Sequence, residues 1–163
     1  RLRYPFNKDM MRKNYEYYIK RTSHGSTMSK IVYCHVAQRL KKPKEAWRLF
    51  IDVLRSDLHD VQGGTTPEGI HCCVMGGSLN IVSRGFAGLR LREGKIILEP
   101  RLPAKWQSLK FKFLYRGMWI TIGCTRSQLS LLVEGQTGIP FEINGKLHYP
   151  PLNRTVKIPL HKT

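Results

Sequence analysis

Ser26 and Thr27 stand directly behind Gly25 at the head of an apolar-periodic stretch, and that combination can bind an anion. Two hydroxyls, the unsatisfied N–H groups of a helix's first turn and the positive end of its dipole would converge there. Ser and Thr also favour the N-cap position on their own account, so the local sequence leaves both readings open. His71 follows Gly69 and Ile70 behind the Gly/Thr-rich run Gly63–Pro67, where an imidazole can donate to an anion's oxygen. Taken alone, a single His beside Cys72, Cys73 and Met75 reads as a satisfied core residue. His24 and Gly25 belong to the loop ahead of Ser26 and are expected to support it, His24 either holding the loop or touching a ligand. Glu68 is the nearest carboxylate in a loop of this kind, the residue to consider if water needed a base. Asp57, Asp60 and Glu45 read as helix-surface or capping carboxylates. Trp47 and Trp106 could stack on sugar rings, but Trp47 lies on an apolar helix face and reads as core. Trp106, after a Pro-rich turn, is expected to anchor the second half of the chain to the first.

Helices must present the first group of residues. Lys8–Lys20 carries a helical stripe of Met10, Met11, Tyr15, Tyr18 and Ile19. Ser26–Leu40 follows, with Ile31, Val32, Val36 and Leu40 as its expected inner face. Pro43 suits the first position of a third helix, Lys44–Leu58, whose stripe is Trp47, Phe50, Val53 and Leu54. A fourth helix is expected from Gly69 or Met75 through Ala87, although Gly76, Gly77 and Gly85 each cost a helix about 1 kcal/mol unless close packing needs them.

Beyond Gly88–Gly94 the period changes. Lys95–Glu99 has strand character, Leu109–Arg116 alternates apolar and polar residues, and Met118–Cys124 and Gln128–Val133 continue the pattern. Phe141–Ile143, an Asn144-Gly145 turn and Lys146–Tyr149 predict a hairpin, and Val156–Ile158 can close the sheet. The expected organisation is therefore α+β in two parts: helices over residues 1–90, and a small antiparallel β-sandwich over residues 91–163.

The 163 residues are 41% hydrophobic and 24% charged, a globular composition, and no apolar run reaches the ~18 residues of a membrane span. A net charge of +17 raises the possibility of a polyanionic partner. The Lys and Arg residues are scattered, however, without a basic tail or a basic-aromatic motif, so a solvated basic surface is favoured over nucleic acid. Cys34, Cys72, Cys73 and Cys124 match no Cys-x-x-Cys metal or redox spacing; buried reduced thiols in a cytoplasmic protein are the expectation, with no metal. The absence of an initiator Met suggests a piece of a longer chain.

Three stretches then carry a resemblance. The first is Asn14–Tyr18 followed by Thr22-Ser23-His24-Gly25-Ser26-Thr27-Met28-Ser29. The second is Gly63–His71 running into Met75-Gly76-Gly77. The third is Gly85–Arg90 followed by Pro100–Leu109. Their order and spacing over roughly Lys8 to Val133 resemble the closing segment of glycoside hydrolase family 65 enzymes, the maltose, kojibiose and trehalose phosphorylases and their hydrolytic relatives.

The resemblance implies that residues 1–90 are the last helices of an (α/α)6 catalytic barrel and that the β-sandwich is the family's C-terminal domain. It implies inverting cleavage of an α-linked glucose disaccharide, with inorganic phosphate as co-substrate in the phosphorylases, no cofactor, and a homodimeric parent. It places Ser26, Thr27 and His71 against phosphate, His24, Gly25 and Glu68 in support, and the general acid, a Glu, upstream of this chain. Many relatives have Asp where Gly25 stands, which touches the loop's fine geometry. The choice of nucleophile has a physical basis. An inverting hydrolase needs a second carboxylate to activate water, whereas phosphate needs only hydroxyls and positive donors to hold it. Thr22–Ser29 contains no Asp or Glu, which favours a phosphorylase over a hydrolase of the same family; a non-catalytic polyanion-binding protein is the third reading. Four predicted helices cannot close a barrel, so the chain alone is expected to lack activity, its helices less stable than its sheet domain until the rest of the barrel covers them.

Overall fold

The computed structural model describes residues 7–59 and 69–160, and the chain divides into two compact units, Arg1–Val82 and Ser83–Thr163. It is α+β, with helices first and two sheets after.

In the first unit, α1 (Lys8–Ile19) is opened by Asn7, whose side chain accepts the Met10 N–H at 2.8 Å, with Asp9 in the first turn where the dipole favours an acid. Of its expected stripe only Tyr15 is buried; Tyr18 is exposed. Tyr15 donates its phenol to Glu45 at 2.8 Å, so Glu45 ties α1 to α3 rather than decorating the surface or capping a helix.

Helix α2 (Thr27–Arg39) buries Thr27, Lys30, Ile31, Cys34 and Ala37. Ile31 is inward as expected, but Val32 is 59% exposed and Val36 and Leu40 are only partly covered. The inner face is chosen by closeness of approach rather than by side-chain hydrophobicity: Cys34 and Ala37 are small, and the Cys34 thiol reaches the Ala46 carbonyl at 3.2 Å across the α2–α3 seam. Helix α3 (Pro43–Arg55) starts at Pro43 itself and buries Ala46, Leu49, Phe50 and Val53. Leu54 is exposed, and Trp47 is half-buried with its ring 5.8 Å from Phe50.

Helix α4 (Cys72–Asn80) begins later than Gly69 and earlier than Met75, and runs into a π-helical turn, Ile81–Phe86. Gly77 fits the close-packing explanation, since a Cβ there would overlap the Ile31 side chain of α2. Gly76 does not, because nothing lies within 4 Å of its would-be Cβ. The cysteines also divide. Cys34 and Cys124 are buried, but Cys72 and Cys73 are exposed at the start of α4, against the expectation of buried thiols. Burial pushes the Cys34 thiol up to about 12 and the Cys124 thiol up to about 11, so both stay neutral.

The second unit is a pair of four-stranded sheets. One has the order β1 (Arg90–Arg92), β2 (Lys95–Leu98), β6 (Phe141–Ile143), β7 (Lys146–His148). The other has the order β3 (Ser108–Tyr115), β4 (Met118–Thr125), β5 (Gln128–Glu134), β8 (Val156–Pro159). Strand β1 escaped the sequence reading because all three of its residues are exposed and show no alternation. The sandwich is not wholly antiparallel as expected, since β2 pairs parallel with β6, Ile96 opposite Phe141. Parallel pairing is available because β3, β4 and β5 of the second sheet intervene in sequence between the two strands, supplying the long crossover it requires. The Asn144-Gly145 turn has φ values of 47° and 80°, the left-handed pair that closes a two-residue hairpin. Ile96, Leu98, Phe141 and Ile143 from one sheet and Ile120, Ile122, Leu131 and Val133 from the other make one core. Within this unit Trp106 packs edge-on to Phe86, ring centres 5.2 Å apart.

Candidate functional site

The candidate residues of the first unit gather at two helix starts. At the first, Thr22 donates its hydroxyl to the Tyr18 carbonyl at 2.9 Å and lies 2.6 Å from the Tyr33 phenol, fixing the chain as it leaves α1. His24 takes the left-handed conformation, φ 55°, a turn usually left to Gly or Asn. Gly25 does not need its freedom, as a Cβ would meet nothing nearer than the Ser23 hydroxyl at 3.6 Å. His24 Nδ1 lies 2.8 Å from the Ser29 hydroxyl, which itself donates to the Ser26 carbonyl at 2.8 Å. A hydroxyl has one proton to give, so Nδ1–H must be the donor to Ser29, leaving Nε2 with a lone pair in the neutral ring. Burial, followed by the nearby charges of Lys30 and Arg48, lowers the His24 pKa and so disfavours the charged ring. His24 therefore braces the first turn of α2 through Nδ1.

Ser26 occupies the N-cap position with extended backbone, yet its side chain makes no capping hydrogen bond and is exposed. No acid stands in the first turn of α2, so the positive end of the helix has no local counter-charge. Thr27 sits just inside, 3% exposed. Lys30, one turn further on the same face, is 9% exposed, and its ammonium lies 3.8 Å from Asp52, which also pairs with Arg48 at 3.4 Å. Sequence reading passed over Lys30. The available signal was its spacing, three residues after Thr27 and four after Ser26, which shares their helical face.

At the second start, His71 is the N-cap of α4, and Asp57, in the turn after α3, holds it at two points. The His71 backbone N–H donates to one carboxylate oxygen at 3.0 Å, and Nδ1 lies 2.7 Å from the other. A carboxylate can only accept, so Nδ1 carries a proton and Nε2 is the atom left to meet a ligand. Expected as a surface or capping carboxylate, Asp57 does cap α4, and it also orients the imidazole. Helices α2 and α4 pack together, Ile31 against Gly77, within one unit. Glu68 and Asp60 lie outside the described residues, as does the Gly63–Pro67 loop. No helix of the described residues is long and apolar enough to cross a membrane.

Two chemistries follow from this arrangement. The α2 start can hold an anion through hydroxyls, uncompensated N–H groups and neighbouring cations. The Asp57–His71 pair offers an oriented imidazole, which donates from Nε2 when doubly protonated and accepts there when neutral.

Comparison with known proteins bears on the choice. The glycosyl hydrolase family 65 central catalytic domain matches residues 1–80, and the family's C-terminal domain matches residues 89–148. Trehalose 6-phosphate phosphorylase of Lactococcus lactis is 41% identical over 130 residues, 80% of this chain and 17% of that protein. Kojibiose phosphorylase of Caldanaerobacter subterraneus is 33% identical over 143 residues, 86% of this chain and 18% of that protein. A solved structure assigned as a kojibiose phosphorylase from the human microbiome superposes with a TM-score of 0.83 over 97% of this chain and 23% of its own. At 24% identity that likeness concerns the fold alone. The chain spans about a sixth of the length of the curated relatives it matches.

Proposed function

We propose, from the premise that this chain belongs to glycosyl hydrolase family 65, that it is the closing segment of an inverting α-glucoside phosphorylase and contributes the phosphate-binding half of its active site. In this reading residues 1–90 are the last helices of the (α/α)6 barrel and residues 91–163 its C-terminal β-sandwich. The substrates are an α-linked glucose disaccharide and inorganic phosphate, with no cofactor. The names of the relatives, a trehalose 6-phosphate phosphorylase and a kojibiose phosphorylase, support it.

The observation that carries the reading is the start of α2. Two hydroxyl residues open a helix whose cap makes no side-chain bond and whose first turn holds no acid. A carboxylate there would repel a phosphate dianion and would be wanted by a water-activating enzyme. Ser26 and Thr27 would hold two phosphate oxygens and His71 would face a third through Nε2, with Asp57 fixing the ring. Phosphate so held attacks the anomeric carbon while a Glu outside this chain, by family resemblance, protonates the leaving oxygen; glucose 1-phosphate of inverted configuration results.

The test uses the full-length protein. Phosphate-dependent release of glucose 1-phosphate from maltose, kojibiose, trehalose or trehalose 6-phosphate is expected, and His71→Ala should cripple it. Full activity in His71→Ala would sink the site assignment. A second reading has one observation in its favour. Neutral His71 backed by Asp57 is also the arrangement of a general base, so release of free glucose without phosphate would make the parent a hydrolase.

A further inference from the structure

Lys30 is poorly served as a structural cation. It is 9% exposed and lies on the α2 face that also buries Thr27 and Ile31. The Asp52 carboxylate is 3.8 Å from its ammonium, beyond the 2.7–3.2 Å of an N–H···O hydrogen bond. That carboxylate is shared with Arg48 at 3.4 Å, so one negative charge faces two positive ones. An ammonium carries three donors and Asp52 approaches them only loosely; an ion pair of such geometry stabilises little that an apolar residue would not.

The position of the charge suggests what fills the remaining donors. Helical side chains lean toward the N-terminus, and Lys30 lies one turn beyond Ser26 and Thr27 on the face of α2 that also buries Thr27. The field of the ammonium reaches the loop in front of that helix, where after burial Lys30 is the largest influence depressing the basicity of His24. Among the described residues, the charged groups that act on this spot are Lys30 on α2 and Arg48 and Asp52 on α3, beside His24, which is spent on Ser29, and the Tyr33 phenol. Among these described groups two cations face one carboxylate.

We propose that Lys30, backed by Arg48, supplies the fixed positive charge of the anion site at the start of α2 and contacts an oxygen of the phosphoryl group that Ser26 and Thr27 hold. The inference rests on the phosphate reading above and adds a residue to it. The ligand chemistry is a phosphate dianion, whether free inorganic phosphate or the phosphate ester of a sugar.

The experiment is titration calorimetry on the full-length protein with inorganic phosphate and, separately, glucose 6-phosphate. Wild type is compared with Lys30→Gln, Lys30→Arg, Asp52→Asn and His71→Ala. Lys30→Gln should weaken binding of one ligand by about tenfold, the loss of a charge-assisted hydrogen bond, and Lys30→Arg should restore most of it. Which ligand loses affinity tells the free anion from the ester. Asp52→Asn removes the competing carboxylate and should tighten the same ligand, whereas a purely structural ion pair would lose only thermal stability in both variants. That readout stands even if Lys30→Gln folds poorly. Affinity within about twofold of wild type for both ligands in Lys30→Gln, with His71→Ala still weakened, overturns the role of Lys30 and leaves the phosphate reading intact. Wild-type phosphate affinity in His71→Ala as well would remove both.

Discussion

His71 and Asp57 show how a side chain's neighbours leave a common residue with one defined atom, Nε2, for a ligand. Because Asp57 accepts from both the backbone N–H and Nδ1, the imidazole has one orientation and one tautomer available for ligand. Asp57→Asn keeps the shape and replaces a carboxylate that accepts two hydrogen bonds from His71 by an amide. It should lower kcat/KM for phosphate by about thirtyfold, an effect of about 2 kcal/mol for a hydrogen bond to a charged group; steady-state kinetics at varied phosphate would check it. His24 predicts a pH dependence instead. Its folded pKa is depressed below the unfolded value, so the unfolded chain binds the proton more readily. The stabilisation is fully present above the ordinary histidine range and is lost as pH falls through the folded pKa. Urea midpoints of the first unit should therefore drop between pH 7 and pH 5, and His24→Asn should flatten that slope. An unchanged slope in the variant would show that other groups carry it.

Helix α4 separates two glycines that look alike in sequence. At Gly77 an added methyl would overlap Ile31, a buried side chain with little room to move, and overpacking of this kind costs about 1–3 kcal/mol. Gly76 faces open space, where the same change removes backbone freedom from the unfolded chain and gains about 0.5–1 kcal/mol. Gly77→Ala should lower the melting temperature of the protein and Gly76→Ala should raise it, by calorimetry. Equal shifts would mean that α4 does not pack on α2 as described. In the sheets, the shared core of Ile120, Ile122, Leu131, Ile96 and Phe141 is wholly buried, whereas α1 buries only Tyr15. Hydrogen exchange should accordingly find the slowest amides in β4 and β5 and the fastest helical ones in α1.

At the scale of the whole molecule the chain is a minor part of the proteins it resembles, at 17% of the length of the trehalose 6-phosphate phosphorylase. Expressed alone, the 163 residues should release no glucose 1-phosphate from any disaccharide, since the proposed reaction needs an acid and sugar-binding walls from elsewhere. Activity in the isolated chain, by a coupled glucose 1-phosphate assay, would overturn that division of labour. The charge of +17 offers no shortcut to function, being spread over both halves rather than gathered in a motif. By itself the sequence determined the change of period from helix to strand, the Pro43 helix start, the Asn144-Gly145 turn and the family's three motifs, because each is set by residues close together in the chain. Tertiary structure alone decided that Cys34 and Ala37 rather than Val32 and Val36 face inward, because the approach of α3 selects small residues over greasy ones. It alone paired β2 with β6 across most of the second unit. It also joined Asp57 to His71 and brought Lys30 against Asp52, contacts between residues distant in sequence that no local pattern encodes.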